Sequence, residues 1–345
     1  MFENENEADP TRLTIRETMG EMWRSLKFVR ENTWATGIGP FDDAFRGVAP
    51  DDLVVLAAGS GVGKTELAAM LARSVSRAGK KVCFFGLEAQ DKEIEKRLLY
   101  KYLSKVYFDR NGFKQTGIKL HYDDWMEGQY DYETHPQLIP YFVEAEGQML
   151  TEIGGMEIVP KEEVFGIERF TTEFEKRAHD TDLMVVDHLH HLDLDYGESE
   201  MDGYKRITHK MRTLTMKAKT PILLLGQLRK PPKGSTALPD KHDIYGASAV
   251  ANVATKIMLV TQTQDYGIST TDKQPTFFVP DKGRTRGAVR NYAMLCSFDR
   301  TFSGYEKQYD LYKKHDMSHL QNENEMPHWA QNARLKPGGQ SGFGF

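Results

Sequence analysis

The apolar positions of this chain gather into short unbroken runs separated by stretches of helical spacing. Residues 53–57 (LVVLA), 81–87 (KVCFFGL), 182–186 (DLMVV), 221–225 (PILLL) and 257–261 are too short for helices and too continuous for strands with one wet face. They predict strands buried on both sides. Between them, 64–78, 91–105, 167–178, 202–219 and 247–255 read as helices, with Gly79 suited to a left-handed cap after the first. Short strands at 156–159, 277–280 and 292–298 complete the set. This alternation predicts an α/β fold with a doubly wound, mainly parallel sheet, and a ligand site at the carboxyl ends of its strands. Residues 36–50 read as loop. Residues 106–150, rich in Tyr, Asp, Gly and His, read as a surface excursion with helix only near 139–150.

Residues 11–31 place Ile15, Met19, Met22, Leu26 and Val29 at alternating spacings of four and three, with Trp23 widening the stripe. Such a helix either packs on its own domain or docks on a neighbouring subunit. From 313 the chain turns polar and ends in KPGGQSGFGF, which reads as a flexible tail or, through Phe343 and Phe345, a docking peptide. The expected domains are thus an arm and helix over 1–34, one α/β domain over 35–312, and a tail over 313–345.

The first strand runs into Ala58-Gly59-Ser60-Gly61-Val62-Gly63-Lys64-Thr65 and then a helix. That is the setting a phosphate-binding loop requires. Backbone N–H groups can wrap a polyphosphate only if the side chains stay small, and the helix amino terminus aims its free N–H groups at the same anion. Lys64 is placed for the β- and γ-phosphates and the Thr65 hydroxyl for Mg²⁺. Ala58 stands where the strict pattern has glycine; the close approach falls instead to Gly61 and Gly63. ATP and Mg²⁺ are the expected cofactors.

Hydrolysis also needs an acid to orient the metal, a group to polarise water, and positive charge for the transition state. Asp187 ends the run DLMVV and would face the metal held by Thr65. Glu88 ends KVCFFGLE, where a carboxylate can activate water, although a solvated helix-start glutamate would look the same. Gln227, after PILLLG, can bond the γ-phosphate and report its loss to the loop that follows.

The 345 residues carry 39% apolar and 28% charged side chains and a formal net charge of −5. That balance gives nucleic-acid binding no bulk support, so any such binding must use a local basic lining. Cys83 and Cys296, far apart and each in an apolar run, read as buried thiols rather than a metal site. No apolar stretch approaches the ~20 residues that span a bilayer, and the acidic MFENENEADP lacks a signal-peptide pattern. A cytoplasmic protein is expected.

Taken in order, TGIGPFDDAFRGVAPDDLVVLAAGSGVGKT, FFGLE, LMVVDHLHHL, LLLGQLRK and DKGRTRG resemble the ATPase domain of DnaB-type replicative helicases, within the RecA-like superfamily, over about 35–300. The resemblance implies a hexameric ring with ATP between subunits, moving on single-stranded DNA. It puts Lys64 and Thr65 on the phosphate and metal positions, Glu88 on the catalytic glutamate, Asp187 on the Walker B aspartate and Gln227 on the sensor glutamine. It also puts Lys282 and Arg284 on Lys-x-Arg fingers that reach a neighbour's γ-phosphate, with Arg286 as a rival, and it tilts helix 11–31 towards docking. DIYGASAVANVATKI matches the family's DNA-facing loop only loosely, with Tyr245, Gly246 and Ala251 at positions that often carry charge, which is closer to the shorter phage and organellar ring helicases. Arg229, Lys230, Lys233 and Lys241 are candidate DNA contacts, with Tyr245 able to stack on a base. The sequence leaves no room for the family's N-terminal helical domain, so primase coupling through it is not expected. The reading is a ring-forming single-stranded DNA translocase or helicase of DNA replication. The alternative is a regulatory or loader ATPase in a replication, transposition or defence assembly, binding a protein partner through 106–150 or the tail. A strand-exchange recombinase fits the fingers less well.

Overall fold

The computed structural model describes residues 15–89, 92–112, 118, 120–161, 164–230, 237–262, 273–283, 287–320 and 325–334. Helix α1 (Ile15–Glu31) leads through the short α2 (Gly39–Phe45) to strand β1 (Leu53–Ala58) and helix α3 (Lys64–Arg77). Strand β2 (Val82–Gly86) is followed by α4 (Glu93–Asn111), α5 (Tyr122–Met126), α6 (Ile139–Ile153), strand β3 (Glu157–Pro160) and α7 (Ile167–Arg177). Then come β4 (Leu183–Asp187), α8 (Glu200–Ala218), β5 (Ile222–Gln227), α9 (Ala247–Val253), β6 (Lys256–Gln262), β7 (Lys273–Gly283) and β8 (Tyr292–Asp299). The last described elements are β9 (Gly304–Tyr305), β10 (Tyr309–Lys313) and β11 (Ala333–Arg334).

These strands form one sheet in the order β11-β10-β8-β7-β6-β1-β5-β4-β2-β3, with β9 on β8. The half from β6 to β3 is parallel, and β7, β8 and β10 extend it antiparallel. The apolar runs divide by parity, as a period of two demands. Val54, Leu56, Val82, Phe84, Leu223 and Leu225 face one core with α3, α4 and α6. Leu53, Val55, Cys83, Phe85, Ile222 and Leu224 face a second with α7 and α8. Both cysteines are free and buried, and burial pushes the Cys83 thiol up to about 12. Among the described residues no helix is long and apolar enough to cross a membrane.

Three expectations change, and one alternative left open by the sequence is decided. Residues 36–50 contain α2, whose Phe41 and Phe45 stack edge-on and are buried. The 106–150 excursion is not a surface feature, because α4 runs on to Asn111 and Tyr107, Phe108, Leu120, Tyr122, Leu138 and Phe142 all enter the first core. Its periodicity is weak because tyrosines bury the ring and lead the hydroxyl to a partner: Tyr107 donates to the Ile118 carbonyl at 2.7 Å and Tyr130 to Asp124 at 3.1 Å. The packed chain also runs beyond 313. Asp43 accepts from Tyr309 Oη at 2.7 Å and from the Asn332 backbone at 2.7 Å, and Trp329 is buried against Tyr292. Residues 335–345, with Phe343 and Phe345, lie outside the described residues. Finally, α1 does not pack on its own domain: Ile15 is 82% exposed, Trp23 65% and Leu26 55%.

Candidate nucleotide-hydrolysis site

Ala58 still belongs to β1, paired with Gln227 on one side and Val260 on the other. Its backbone is extended, which is why the β-carbon is tolerated where a turn would need glycine. The turn comes after it, with Gly61 at φ +76° and Gly63 at φ +90°. A β-carbon on Gly61 would meet open space, so the left-handed backbone, not crowding, requires glycine there. Helix α3 starts at Lys64 without a side-chain cap, leaving its first N–H groups to whatever fills the loop. Ser60 to Thr65 and Glu88 line a cavity of about 450 Å³, a volume suited to a nucleotide.

The ends of β2 and β4 are tied together: Leu87 and Glu88 both donate backbone N–H to the Asp187 carbonyl, at 2.7 and 3.0 Å. Asp187 is fully buried, and neither carboxylate oxygen has a hydrogen-bond partner among the described residues. Burial pushes its carboxyl up to about 6, against the opposing pull of the nearby Thr65 hydroxyl and Lys64 ammonium, with the Glu88 charge pushing further up. An orphaned buried carboxylate beside a hydroxyl is an oxygen donor set that fits Mg²⁺. Thr65 and Asp187 would hold the ion, and its charge would neutralise phosphate oxygens.

The raised proton affinity has a consequence for stability. Folding holds the proton more tightly than the unfolded chain does, so stability falls as pH rises from 3.8 to about 6 and the loss is complete above that. Asp187→Asn removes the buried charge. It is expected to stabilise the nucleotide-free chain by about 1–3 kcal/mol at pH 7.5, less near pH 4, while abolishing Mg²⁺-dependent turnover. Urea unfolding at both pH values checks this, and a destabilised variant at pH 7.5 would refute the assignment.

Glu88 is 47% exposed and faces a histidine cluster that the sequence reading did not single out. His188 Nε2 stands 3.0 Å from Glu88 Oε2, and His191 Nε2 4.0 Å from Oε1. The three residues are close enough to hold a metal ion. Burial holds His188 down to about 3 and His190 down to about 4, so both rings are neutral at physiological pH.

Further lining residues come from elements remote in sequence. Arg97 and Tyr122 reach the helix that follows the phosphate loop: Tyr122 Oη donates to buried Glu66 at 2.6 Å, and Arg97 bridges Glu66 at 3.2 Å and Glu93 at 2.5 Å. Ser303 Oγ also bonds Glu66. Arg300 pairs with Asp123 at 2.8 Å across the cavity rim. No motif announces these residues; for Tyr122 and Asp123 the sequence signal is the density of tyrosine and acid in 106–150, and for the others there is none.

Gln227 ends β5 beside Ala58, at the root of the phosphate loop. Beyond it the chain stays paired: Leu228 bridges Ile244, Tyr245 N–H donates to the Gln227 carbonyl at 2.8 Å, and Arg229 N–H to the Asp243 carbonyl at 2.7 Å. Arg229, Lys230, Lys241 and Tyr245 therefore cluster on one loop system, with the Arg229 guanidinium 5.9 Å from the Tyr245 ring. The Tyr245 hydroxyl bonds Glu200 at 2.9 Å. Lys233, Arg284 and Arg286 lie outside the described residues. Lys282 is level with Ile257 and Val55, about 10 Å back along the strands from Ala58 and two strands across. Its ammonium bonds the Ala251 and Asn252 carbonyls at the end of α9, at 2.8 and 3.2 Å. It is not part of its own phosphate site.

A phosphate loop between a central parallel strand and its helix, with acids closing the neighbouring strand ends, defines a RecA-like P-loop nucleoside triphosphatase fold. Within that class the chain belongs to the DnaB-like helicase C-terminal domain family, whose model matches residues 34–297. Members of this family use ATP and Mg²⁺. Among solved structures, the ATPase domain of G40P is 16% identical with a TM-score of 0.65, covering 85% of this chain and 98% of that one. A DnaB-like replicative helicase, solved with its interactions with primase, gives the same identity, TM-score and coverage of this chain, over 68% of its own. A KaiC-like protein, PH0186 from Pyrococcus horikoshii OT3, is 14% identical with a TM-score of 0.50 over 79% and 97%. At these identities the likeness speaks for the fold. No curated protein matches the chain in sequence.

Proposed function

We propose that the chain is a ring-forming, ATP-driven translocase or helicase on single-stranded DNA, with ATP hydrolysed at subunit interfaces in DNA replication. The observation that carries this reading is the junction at the end of β5. One backbone segment passes from Gln227, at the phosphate loop, into the paired strip bearing Arg229, Lys241 and Tyr245. A γ-phosphate held by Gln227 is thereby coupled to the segment best charged to grip a phosphodiester backbone.

The residue roles follow from placement. Lys64 and the loop N–H groups bind the triphosphate, Thr65 and Asp187 hold Mg²⁺, and Glu88 orients and deprotonates the attacking water. Lys282 sits too far from its own loop to serve it, which suits a finger acting in trans with Arg284. The exposed apolar face of α1 supplies a means of assembly, since a head-to-tail contact between identical copies closes into a ring when the rotation between neighbours closes.

A helicase ring requires ATPase stimulated by single-stranded DNA and strand displacement on a forked duplex. Trp23→Glu with Leu26→Glu, which charge the α1 face, are expected to shift assemblies to single chains by light scattering. They should also cut DNA-stimulated turnover by more than tenfold, because half-interfaces lack a finger. Assembly and turnover unchanged by both substitutions would remove α1 from the interface. The regulatory or loader reading is favoured by one observation: α6 exposes Val143 and Leu150, an apolar face on the inserted helices. ATPase indifferent to DNA, with no strand displacement, would favour it over the motor.

A further inference from the structure

His188 follows Asp187 directly and is almost fully buried, with its ring edge-on to those of His190 and His191 at centroid distances of 5.3 and 4.5 Å. It caps the single turn Leu189–His191 by accepting the His190 backbone N–H on Nδ1, at 3.2 Å. A ring nitrogen that accepts carries no proton, so the proton of this imidazole is on Nε2. That nitrogen is the one 3.0 Å from Glu88 Oε2. Glu88 is tied by its backbone N–H to the Asp187 carbonyl, and its side chain is half open to solvent.

We propose that His188 is a positioning residue for Glu88, presenting a fixed Nε2–H donor that steers one carboxylate oxygen and leaves the other for the attacking water. The inference rests on the hydrolytic role of Glu88 given above. The packed rings and the cap lock the imidazole, so the donor has one direction. The same geometry argues against a resident metal on Glu88, His188 and His191. A metal on Nε2 would move the proton to Nδ1, where it would meet the His190 N–H head on.

Three substitutions separate the possible roles. His188→Asn keeps an acceptor for the cap but cannot reach Glu88. His188→Phe keeps the ring packing and has no donor. His188→Gln places an amide N–H near the position of Nε2. If His188 positions Glu88, both Asn and Phe lower kcat about ten- to hundredfold at saturating ATP and single-stranded DNA. Nucleotide affinity, read with a fluorescent ATP analogue, stays within twofold, and Gln recovers most of the rate. In a Glu88→Gln background the Asn and Phe changes should alter the residual rate by less than twofold. A capping role alone would spare Asn, and a packing role alone would spare Phe; either result overturns the proposal. So does a stoichiometric transition metal in the purified wild type that His191→Ala removes. If one variant fails to fold, the other still decides when read in the Glu88→Gln background, where a loss from capping or packing would persist and a loss from positioning would not. A wild type without ATPase refutes the hydrolytic reading itself, whereas an active wild type with a dead Glu88→Gln and normal His188 variants refutes only this inference.

Discussion

Glu88→Gln is expected to leave ATP binding within a fewfold of wild type and to reduce turnover by about 10²–10⁴, the span that a positioned general base contributes. The change is nearly isosteric and removes only the basicity of a side chain that touches neither the phosphate loop nor the Thr65–Asp187 pair. Binding depends on the Gly61 and Gly63 backbone and on Lys64, all of which remain. The backbone tie between Glu88 and the Asp187 carbonyl also survives, so the strand ends keep their spacing. Equilibrium binding of labelled ATP beside steady-state phosphate release separates the two quantities. Near-normal release with intact binding would transfer the water-activating role elsewhere. A joint loss of both would mean that Glu88 holds the site together rather than acting in it.

What the sequence disclosed and what it hid divide along chain separation. The phosphate loop, Asp187, Glu88 and Gln227 are each written within a few residues of a buried strand, and a strand's carboxyl end is fixed by the sheet, so local pattern suffices to place them. Arg97, Tyr122 and Ser303 converge on Glu66 from distances of 31 to 237 residues, and nothing local marks a tyrosine as bound for a nucleotide cavity. The same holds at the end of the fold. The segment after 313 looks like a tail because its anchors are scattered single side chains, Leu320, Trp329 and Asn332, rather than an apolar run. His188 was hidden differently: it stood inside a recognised motif, but its meaning depends on which nitrogen accepts the His190 N–H. In α1 the apolar stripe was plain in sequence, whereas its exposure could only be seen once the domain was folded without it.

Arg284→Ala is expected to reduce turnover by about 10³-fold or more, the range that arginine fingers supply, while each isolated chain still binds ATP. The reason is positional. The strand that delivers this segment, β7, runs antiparallel to β6, so Lys282 comes out level with Val55 and points away from its own phosphate loop. On the proposed assembly, a cation delivered there would serve a neighbour's triphosphate rather than its own. Mixing gives the sharper test. Lys64→Ala lacks the phosphate-binding cation but keeps the finger, and Arg284→Ala has the reverse defect, so either alone should be inactive. In a one-to-one mixture of freely exchanging head-to-tail subunits, about a quarter of the interfaces pair an intact loop with an intact finger. Activity should therefore reappear on mixing, rise with protein concentration, and vanish when exchange is blocked by cross-linking each variant beforehand. Two inactive variants that stay inactive together, despite assembling into mixed rings, would put the positive charge for the transition state inside a single chain.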